Sequence, residues 1–485
     1  MRRPAPKKTR RAGSLSARLV DYVTLDVRAD GSIAAGVGDH AIGLGKVSAD
    51  AAKRAQRLRT GLRLDTVLPR AGNGDNELLP LMRRLAGHGL LEYRLGHGDE
   101  DEVVIEPQVP DYWPRLQPLD PADVLVLSRF AYMRRRGNEM VLESPRAGAL
   151  FRICNPAVAA AMATLSRPQS ITALRRQSGF PGKELLGVLT DCQILFKVEP
   201  GPDAGLRPTE GDDDLVLWDF HDLLFHARST EGRHANPTGG VYPYVGVMAP
   251  LPAVRAPWPG DKIDLRAIPD AQQAAPVAKL LRERHSTRAF DDQRPITLAE
   301  LARFLDGAAR VQANFTSRLD LDDDDSPEIA YAARPYPSGG GSWELELYLA
   351  VDRCDGLARG FYHYDAGEHA LVSLDVCTPE LDAMLAGAEF AMGASAAPQV
   401  LITIAARFGR VSWKYSSLAY ALVLKDAGVL IQTLYLMATD LGLGGCAIGS
   451  VNNDLFARMT GLAFHVEGPV GQFALGRGGE PEATG

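Results

Sequence analysis

Leu418, Leu422, Val429, Leu430, Leu434, Met437 and Leu441 recur at the spacing of a helical face, and few polar positions interrupt them. The spacing predicts a long helix, buried on most sides, within the stretch from Trp413 to Ser450. At 1.5 Å per residue it measures roughly 35 Å, about the width of a domain. Lys425, Asp426, Gln432 and Asp440 break the run too often for a membrane span. Gly442, Gly444 and Gly445 stop the helix as left-handed caps do, and Cys446-Ala447-Ile448-Gly449 resumes as a short strand or loop where backbone can approach a ligand closely.

The first half of the chain shows shorter periods. Leu19 to Val27 alternates, Asp30-Gly31 supplies a hairpin turn and Ile33 to Val37 returns. Ala51 to Leu62 and Leu78 to Ala86 read as helices, and Leu90 to Leu95 as a closing strand. Val124 to Tyr132 and Met140 to Ser144 flank Arg136-Gly137-Asn138, followed by helical Ala157 to Leu165 and Ile171 to Gln177. Glu184 to Cys192 then leads into the strand Ile194 to Val198, the same helix, turn and strand order as Leu78 to Leu95. Two winged-helix-like modules, residues 15–110 and 118–200, are the simplest account. Residues 1–14 read as a disordered basic arm and residues 201–215 as a linker rich in Gly, Pro, Asp and Glu.

Residues 216–480 read as an α+β domain. Prolines at 250, 252, 257 and 259 make an extended crossing arm. Thr297 with Glu300 forms a capping box at a helix start. Leu345 to Val351, Val400 to Ala405 and Gly471 to Leu475 read as strands, and Asp365-Ala366-Gly367 as a hairpin turn.

The chain has 485 residues, 46% of them hydrophobic and 23% charged, as in a soluble globular protein of two or three domains. Net charge is −7, although six of the first 14 residues are Lys or Arg, so the body is acidic and unsuited to nucleic acid. Lys53, Arg54, Arg57, Arg59 and Arg63 do line a basic helix, which leaves a DNA-binding regulator as a competing reading. The basic arm lacks the apolar core of an export signal, and a cytoplasmic protein is expected. Five cysteines (Cys154, Cys192, Cys354, Cys377, Cys446), none in a Cys-x-x-Cys pair, read as reduced thiols in packed positions. His221 and His226 are off a shared helical face, so no metal is expected there. Asp320 to Asp325 lacks the glycine and ligand spacing of a calcium loop.

Three stretches carry candidate chemistry. In Arg284-His285-Ser286-Thr287-Arg288, two guanidinium groups four apart with a hydroxyl between them can converge on a phosphate dianion. Pro337-Ser338-Gly339-Gly340 places backbone amides where a flat ring or phosphate could approach. Lys414-Tyr415 stands just before the long helix. No Gly-x-Gly-x-x-Gly or Gly-x-x-x-x-Gly-Lys-Ser/Thr loop marks a dinucleotide or nucleoside triphosphate site.

Lys414-Tyr415, Asp426-Ala427-Gly428 and the turn from Gly442 to Gly449 resemble the flavin-dependent dehydrogenases of the nitroreductase-like superfamily. The resembled branch oxidises azolines to azoles in ribosomally made thiazole/oxazole-modified peptides, and the resemblance covers residues 216–480. It implies a nitroreductase-like domain with a central mixed sheet and flanking helices, assembled as a homodimer around FMN. Onto this chain it carries Arg284, His285, Ser286, Arg288, Pro337, Ser338, Gly339, Gly340, Cys446, Ile448, Gly449 and Arg477 as flavin contacts. Lys414 is implied as the base that takes the proton while flavin N5 takes the hydride, with Tyr415 as relay or orienting donor. A free lysine is protonated at neutral pH, so burial or a neighbouring cation such as Arg410 would have to activate it. Where the branch commonly has His-Pro before Glu, this chain has Ser342-Trp343-Glu344, which changes the substrate pocket.

The resemblance further implies a leader-bearing precursor peptide and cyclodehydratase subunits as partners, with dioxygen reoxidising the flavin. Nucleic acid and membranes are not expected partners. Two alternatives stay open: an NAD(P)H-dependent nitro or quinone reductase, and a non-catalytic scaffold that binds the leader peptide.

Overall fold

A computed structural model describes residues 14–28, 30–67, 77–97, 100–177, 179–180, 182–198, 207–233, 247, 276–318 and 328–478. The proline-rich arm, Asp320 to Asp325, His234, Gly239 to Tyr242, residues 201–206 and most of the basic arm lie outside the described residues. The chain forms two units, residues 1–235 and 236–485. Phe220–Ser229, expected to lead into the second domain, is a helix of the first unit, N-capped by Asp219.

The helix, turn and strand repeat of the first unit is visible in backbone geometry. Helix Leu78–Gly87 ends on left-handed Gly89, with Leu90 N–H donating to Leu85 O (2.9 Å). Helix Lys183–Asp191 ends on left-handed Gln193, with Ile194 N–H donating to Leu189 O (2.9 Å). Both are Schellman closures, which release the chain directly into a strand. The two stretches nevertheless do not build separate sheets. Strands Leu62–Arg63, Ser14–Leu19, Leu91–His97, Glu100–Pro107, Ala149–Ile153, Glu139–Glu143 and Tyr132–Arg136 lie in that order in one seven-stranded sheet. The junction is the pairing of Glu100–Pro107 with Ala149–Ile153, which covers an edge holding buried Val103, Val104 and Ile105. The two self-contained modules expected from the sequence are thus joined through a common sheet.

The thiols divide: Cys192, Cys354 and Cys446 are buried, whereas Cys154 and Cys377, expected in packed positions, are exposed. His221 is exposed beside Asp219, while His226 is buried and stacks on Trp218.

In the second unit a six-stranded sheet runs Ala370–Leu374, Gly360–Asp365, Leu345–Val351, Val400–Arg407, Glu467–Gly476 and Gly444–Ile448. The mixed sheet implied by the resemblance is antiparallel throughout among these strands. Among the described residues, parallel pairing is confined to the two-residue strands Ile296–Thr297 and Cys354–Asp355. The tight turn from Asp365 to Ala370 enforces one antiparallel step, since parallel neighbours need long crossovers. Phe473 packs against Phe304 and Tyr435 from helices Leu298–Ala309 and Ala419–Asp440, and adjacent Ala474 points to the other face, under helices Thr378–Met392 and Asn453–Thr460. Helices therefore cover both faces of the sheet.

The long helix spans Ala419–Asp440. It closes as expected, with Gly442 left-handed and Leu443 N–H donating to Ala438 O (2.8 Å). Its start differs: a short helix, Phe408–Ser412, comes first, and Ser417 at φ 55° breaks the chain before Ala419. Lys414 and Tyr415 sit in that break. The helix is also less enclosed than its periodicity implies, because Leu418, Ala421, Lys425, Gly428, Val429 and Gln432 are exposed on one face.

Candidate active site

Three sequence-distant segments meet along the long helix. The first is Arg284 to Arg288, extended after helix Pro276–Glu283. Thr287 N–H donates to Gly445 O (2.8 Å), which lays this segment against the end of strand Gly444–Ile448. A Cβ at position 444 would stand 2.6 Å from Thr287 Cγ2, so the close approach requires Gly444. Ser286 Oγ is 2.8 Å from the Tyr435 hydroxyl, which also accepts Ala447 N–H at 2.8 Å. The Arg284 guanidinium carbon lies 5.0 Å from the centre of the Tyr435 ring. Tyr435, buried on the long helix, therefore fastens together the Arg-x-Ser-x-Arg segment and the strand after the helix.

Neither Arg284 nor Arg288 has a carboxylate partner among the described residues. Their donors are available to an anion, as the guanidinium pattern predicts. His285 is exposed, with its ring Nδ1 3.0 Å from Glu283 O. Cys446 and Ile448 are buried on the same strand, and burial pushes the Cys446 thiol up against the opposing charge of Arg288; Gly449, just beyond it, is exposed. Arg477 pairs with a carboxylate. Its backbone carbonyl accepts Asp291 N–H (2.9 Å), close to the arginine segment, but its guanidinium holds both oxygens of Glu300 at 2.8 Å. Glu300 is the capping-box carboxylate of helix Leu298–Ala309; Thr297 N–H and Arg477 together bring its carboxyl down to about 2.

The second segment is the turn after Pro337. Gly339–Gly341 forms a 3₁₀ turn in which Gly340 and Gly341 have φ of 62° and 67°. Asp426, buried in the middle of the long helix, accepts Gly339 N–H at 2.7 Å and lies 2.8 Å from Ser338 Oγ. Ser338 Oγ also accepts Trp343 N–H at 2.9 Å and lies 3.2 Å from Glu344 Oε2. Glu344 is fully buried, and its Oε1 has no hydrogen-bond partner among the described residues. Burial first, then the charge of Asp426, pushes its carboxyl up to about 7. Trp343 adopts φ 41°, a costly conformation for a bulky residue, held by its indole N–H to Tyr336 O (2.9 Å).

The third segment is the break before the helix. Lys414 Nζ donates to Gly340 O at 3.1 Å. A Cβ on Gly340 would come within 2.9 Å of Lys414 Nζ and closer still to the Tyr415 hydroxyl, so Lys414-Tyr415 and the turn are complementary only with glycine there. Lys414 is exposed, and Arg410 points its guanidinium at the carbonyls of Ser342 (3.0 Å) and Ala330 (3.1 Å). Trp413 is 53% exposed at the same break.

Asp426 and Tyr435 thus divide the helix between the turn with Lys414 and the anion-competent arginines, nine residues or roughly 13 Å apart along the axis. An elongated ligand with an anionic end suits that layout. Glu344, Tyr435 and Trp413 were not singled out from sequence as site residues. The Asp-Ala-Gly triplet was the one signal pointing at this part of the helix.

Comparison with known proteins gives the following. Residues 281–477 match the profile of the nitroreductase family, and residues 125–235 that of the cyanobactin oxidase ThcOx. A nitroreductase-like protein of Methanocaldococcus jannaschii is 28% identical over 191 residues, covering 39% of this chain and 86% of its own. Among solved structures, a nitroreductase-like protein of Ralstonia eutropha aligns at 22% identity and a TM-score of 0.33, over 48% of this chain and all of its own. A chain of the Escherichia coli microcin synthetase McbBCD, solved with truncated pro-MccB17, aligns at 18% identity and a TM-score of 0.37, over 57% of this chain and 99% of its own.

Proposed function

We propose that this chain, an FMN-dependent oxidoreductase combining a ThcOx-family region with a nitroreductase-family domain, oxidises thiazoline or oxazoline rings of a ribosomally made peptide to thiazoles or oxazoles. The observation that carries the proposal is the presence of both family regions in one chain, the nitroreductase region holding Lys414 and Tyr415 against Gly340. The residues present fit FMN: Arg284, Ser286 and Arg288 suit its phosphate, with neither arginine paired to a carboxylate among the described residues. Bound FMN supplies the acceptor for the hydride equivalent that leaves one ring carbon.

Lys414 removes the proton from the neighbouring carbon. A lysine does so only as the neutral amine. Gly340 O aims Nζ, which lies 5.5 Å from the centre of the Tyr415 ring. Dioxygen returns the enzyme to its oxidised state. The exposed face of the long helix, with Leu418 at 45% and Val429 at 36% exposure, supports a two-fold homodimer. A leader-bearing precursor peptide and cyclodehydratase subunits in the cytoplasm complete the proposal.

The relative in M. jannaschii favours a second reading, reduction of nitro or quinone compounds by NAD(P)H. Mass spectrometry of a heterocyclised peptide incubated with the enzyme in air separates the two. Loss of two hydrogens per ring supports azoline oxidation; NADPH consumption on a nitroaromatic with an unaltered peptide supports the reductase.

A further inference from the structure

We infer that Glu344 and Asp426 hold a single shared proton beneath the glycine turn, and that through Ser338 this proton positions the turn and, by way of Gly340, Lys414. The argument is a count of protons. Ser338 has one hydroxyl hydrogen and two acceptor sites. Asp426 Oδ2, at 2.8 Å, is its nearer carboxylate contact and already accepts Gly339 N–H at 2.7 Å. The Ser338 hydrogen therefore goes to Asp426. Trp343 N–H fills one acceptor site of Ser338 at 2.9 Å. The contact of Ser338 with Glu344 Oε2 at 3.2 Å is then favourable only if Glu344 brings the hydrogen.

The resulting chain runs from the Glu344 carboxyl O–H to Ser338, from Ser338 O–H to the Asp426 carboxylate, and from Gly339 N–H to the same carboxylate. Removing the Glu344 proton leaves two buried anions around one hydroxyl, an arrangement that low polarity penalises heavily. The surroundings agree. Arg410, on the neighbouring short helix, attracts Glu344 but is committed to the carbonyls of Ser342 and Ala330. Arg334 faces Glu346 instead, at 3.5 Å. The buried Tyr336 hydroxyl, near Glu344, has no hydrogen-bond partner among the described residues. Lys414, the other cation at the turn, donates to Gly340 O, so among the described residues no cation forms an ion pair with either carboxylate, and a proton neutralises the pair. Glu344 and Asp426 act through the turn and are positioning residues. Their relevance to catalysis rests on the proposed azoline oxidation, whereas the shared proton does not.

The test is infrared difference spectroscopy of the purified holoenzyme across pH, combined with hydrogen exchange of the turn peptide. In the unsubstituted protein a protonated-carboxyl C=O band is expected below neutrality and is lost as pH rises through about 7. The protection factor of Gly339, which removes the base-catalysed rise of intrinsic exchange with pH, then falls about tenfold or more, because repulsion between two carboxylates around Ser338 loosens the turn. Glu344→Gln supplies a permanent uncharged donor, so the band disappears while the protection factor of Gly339 stays high at every pH. Ser338→Ala, which cuts the chain while leaving both carboxyls, should keep a band but make the turn exchange quickly at all pH. Absence of the band below neutrality, or a Glu344→Gln exchange profile that tracks the unsubstituted protein, overturns the inference. Neither readout uses peptide oxidation, so a failure here is separable from a failure of the azoline-oxidase reading.

Discussion

Tyr435→Phe isolates one hydroxyl that joins the Arg-x-Ser-x-Arg segment to the strand after the long helix. The ring is retained, and with it the edge contact to Phe473 (5.0 Å between centres) and the face offered to Arg284. What is lost is the acceptor of Ala447 N–H and the partner of Ser286 Oγ, both at 2.8 Å. Each such bond contributes about 1 kcal/mol net, and stranding a partly buried N–H adds a desolvation cost. Tyr435 is 8% exposed, so water replaces the hydroxyl poorly. A destabilisation of about 2 kcal/mol is expected in urea denaturation of the full chain, visible as a lower midpoint at unchanged slope. FMN should also dissociate faster, because the arginine segment loses its fastening to the helix. A midpoint and a flavin dissociation rate both equal to those of the unsubstituted protein would refute this role for Tyr435.

Other substitutions separate the remaining roles. Lys414→Ala should keep the yellow flavin and abolish azole formation; an active variant removes Lys414 from the mechanism. Arg288→Ala should lower flavin occupancy by equilibrium dialysis, by about tenfold for one lost charge-assisted contact, without shifting the thermal midpoint of the flavin-free protein. Glu300, whose folded value near 2 lies below its unfolded 4.5, contributes stability that is complete above about 4.5 and is lost as pH falls toward 2. Glu300→Gln should remove that acid dependence, an effect on the order of 1 kcal/mol after solvent screening, read from denaturation midpoints at two pH values.

Local signals were legible in the sequence wherever the physics was local. The Thr297/Glu300 capping box, the Asp30-Gly31 turn and the glycine closure of the long helix each rest on residues within a few positions of one another. Arg-x-Ser-x-Arg was readable as a candidate anion site because its donors lie in one short segment. The break at Trp413 to Leu418 was not readable, because the left-handed residue is Ser417 and neither Gly nor Pro marks it. The joining of two repeats through one sheet depends on which edges find each other, information that periodicity lacks. Likewise Arg477 was carried over as a flavin contact by resemblance, and its pairing with the distant Glu300 was not readable from the sequence. Asp426 was marked only within the Asp-Ala-Gly triplet and Glu344 only through the two residues before it; that the fold buries the two together around Ser338 was readable from neither segment alone.

The central claim is that an azoline ring, rather than a nicotinamide, delivers the electrons. It is tested most directly by mixing the oxidised holoenzyme with a heterocyclised peptide without dioxygen and following flavin absorbance. The account predicts bleaching in proportion to rings that have lost two hydrogens, with colour restored on admitting air. A flavin that stays oxidised with the peptide yet bleaches with NADPH would contradict it.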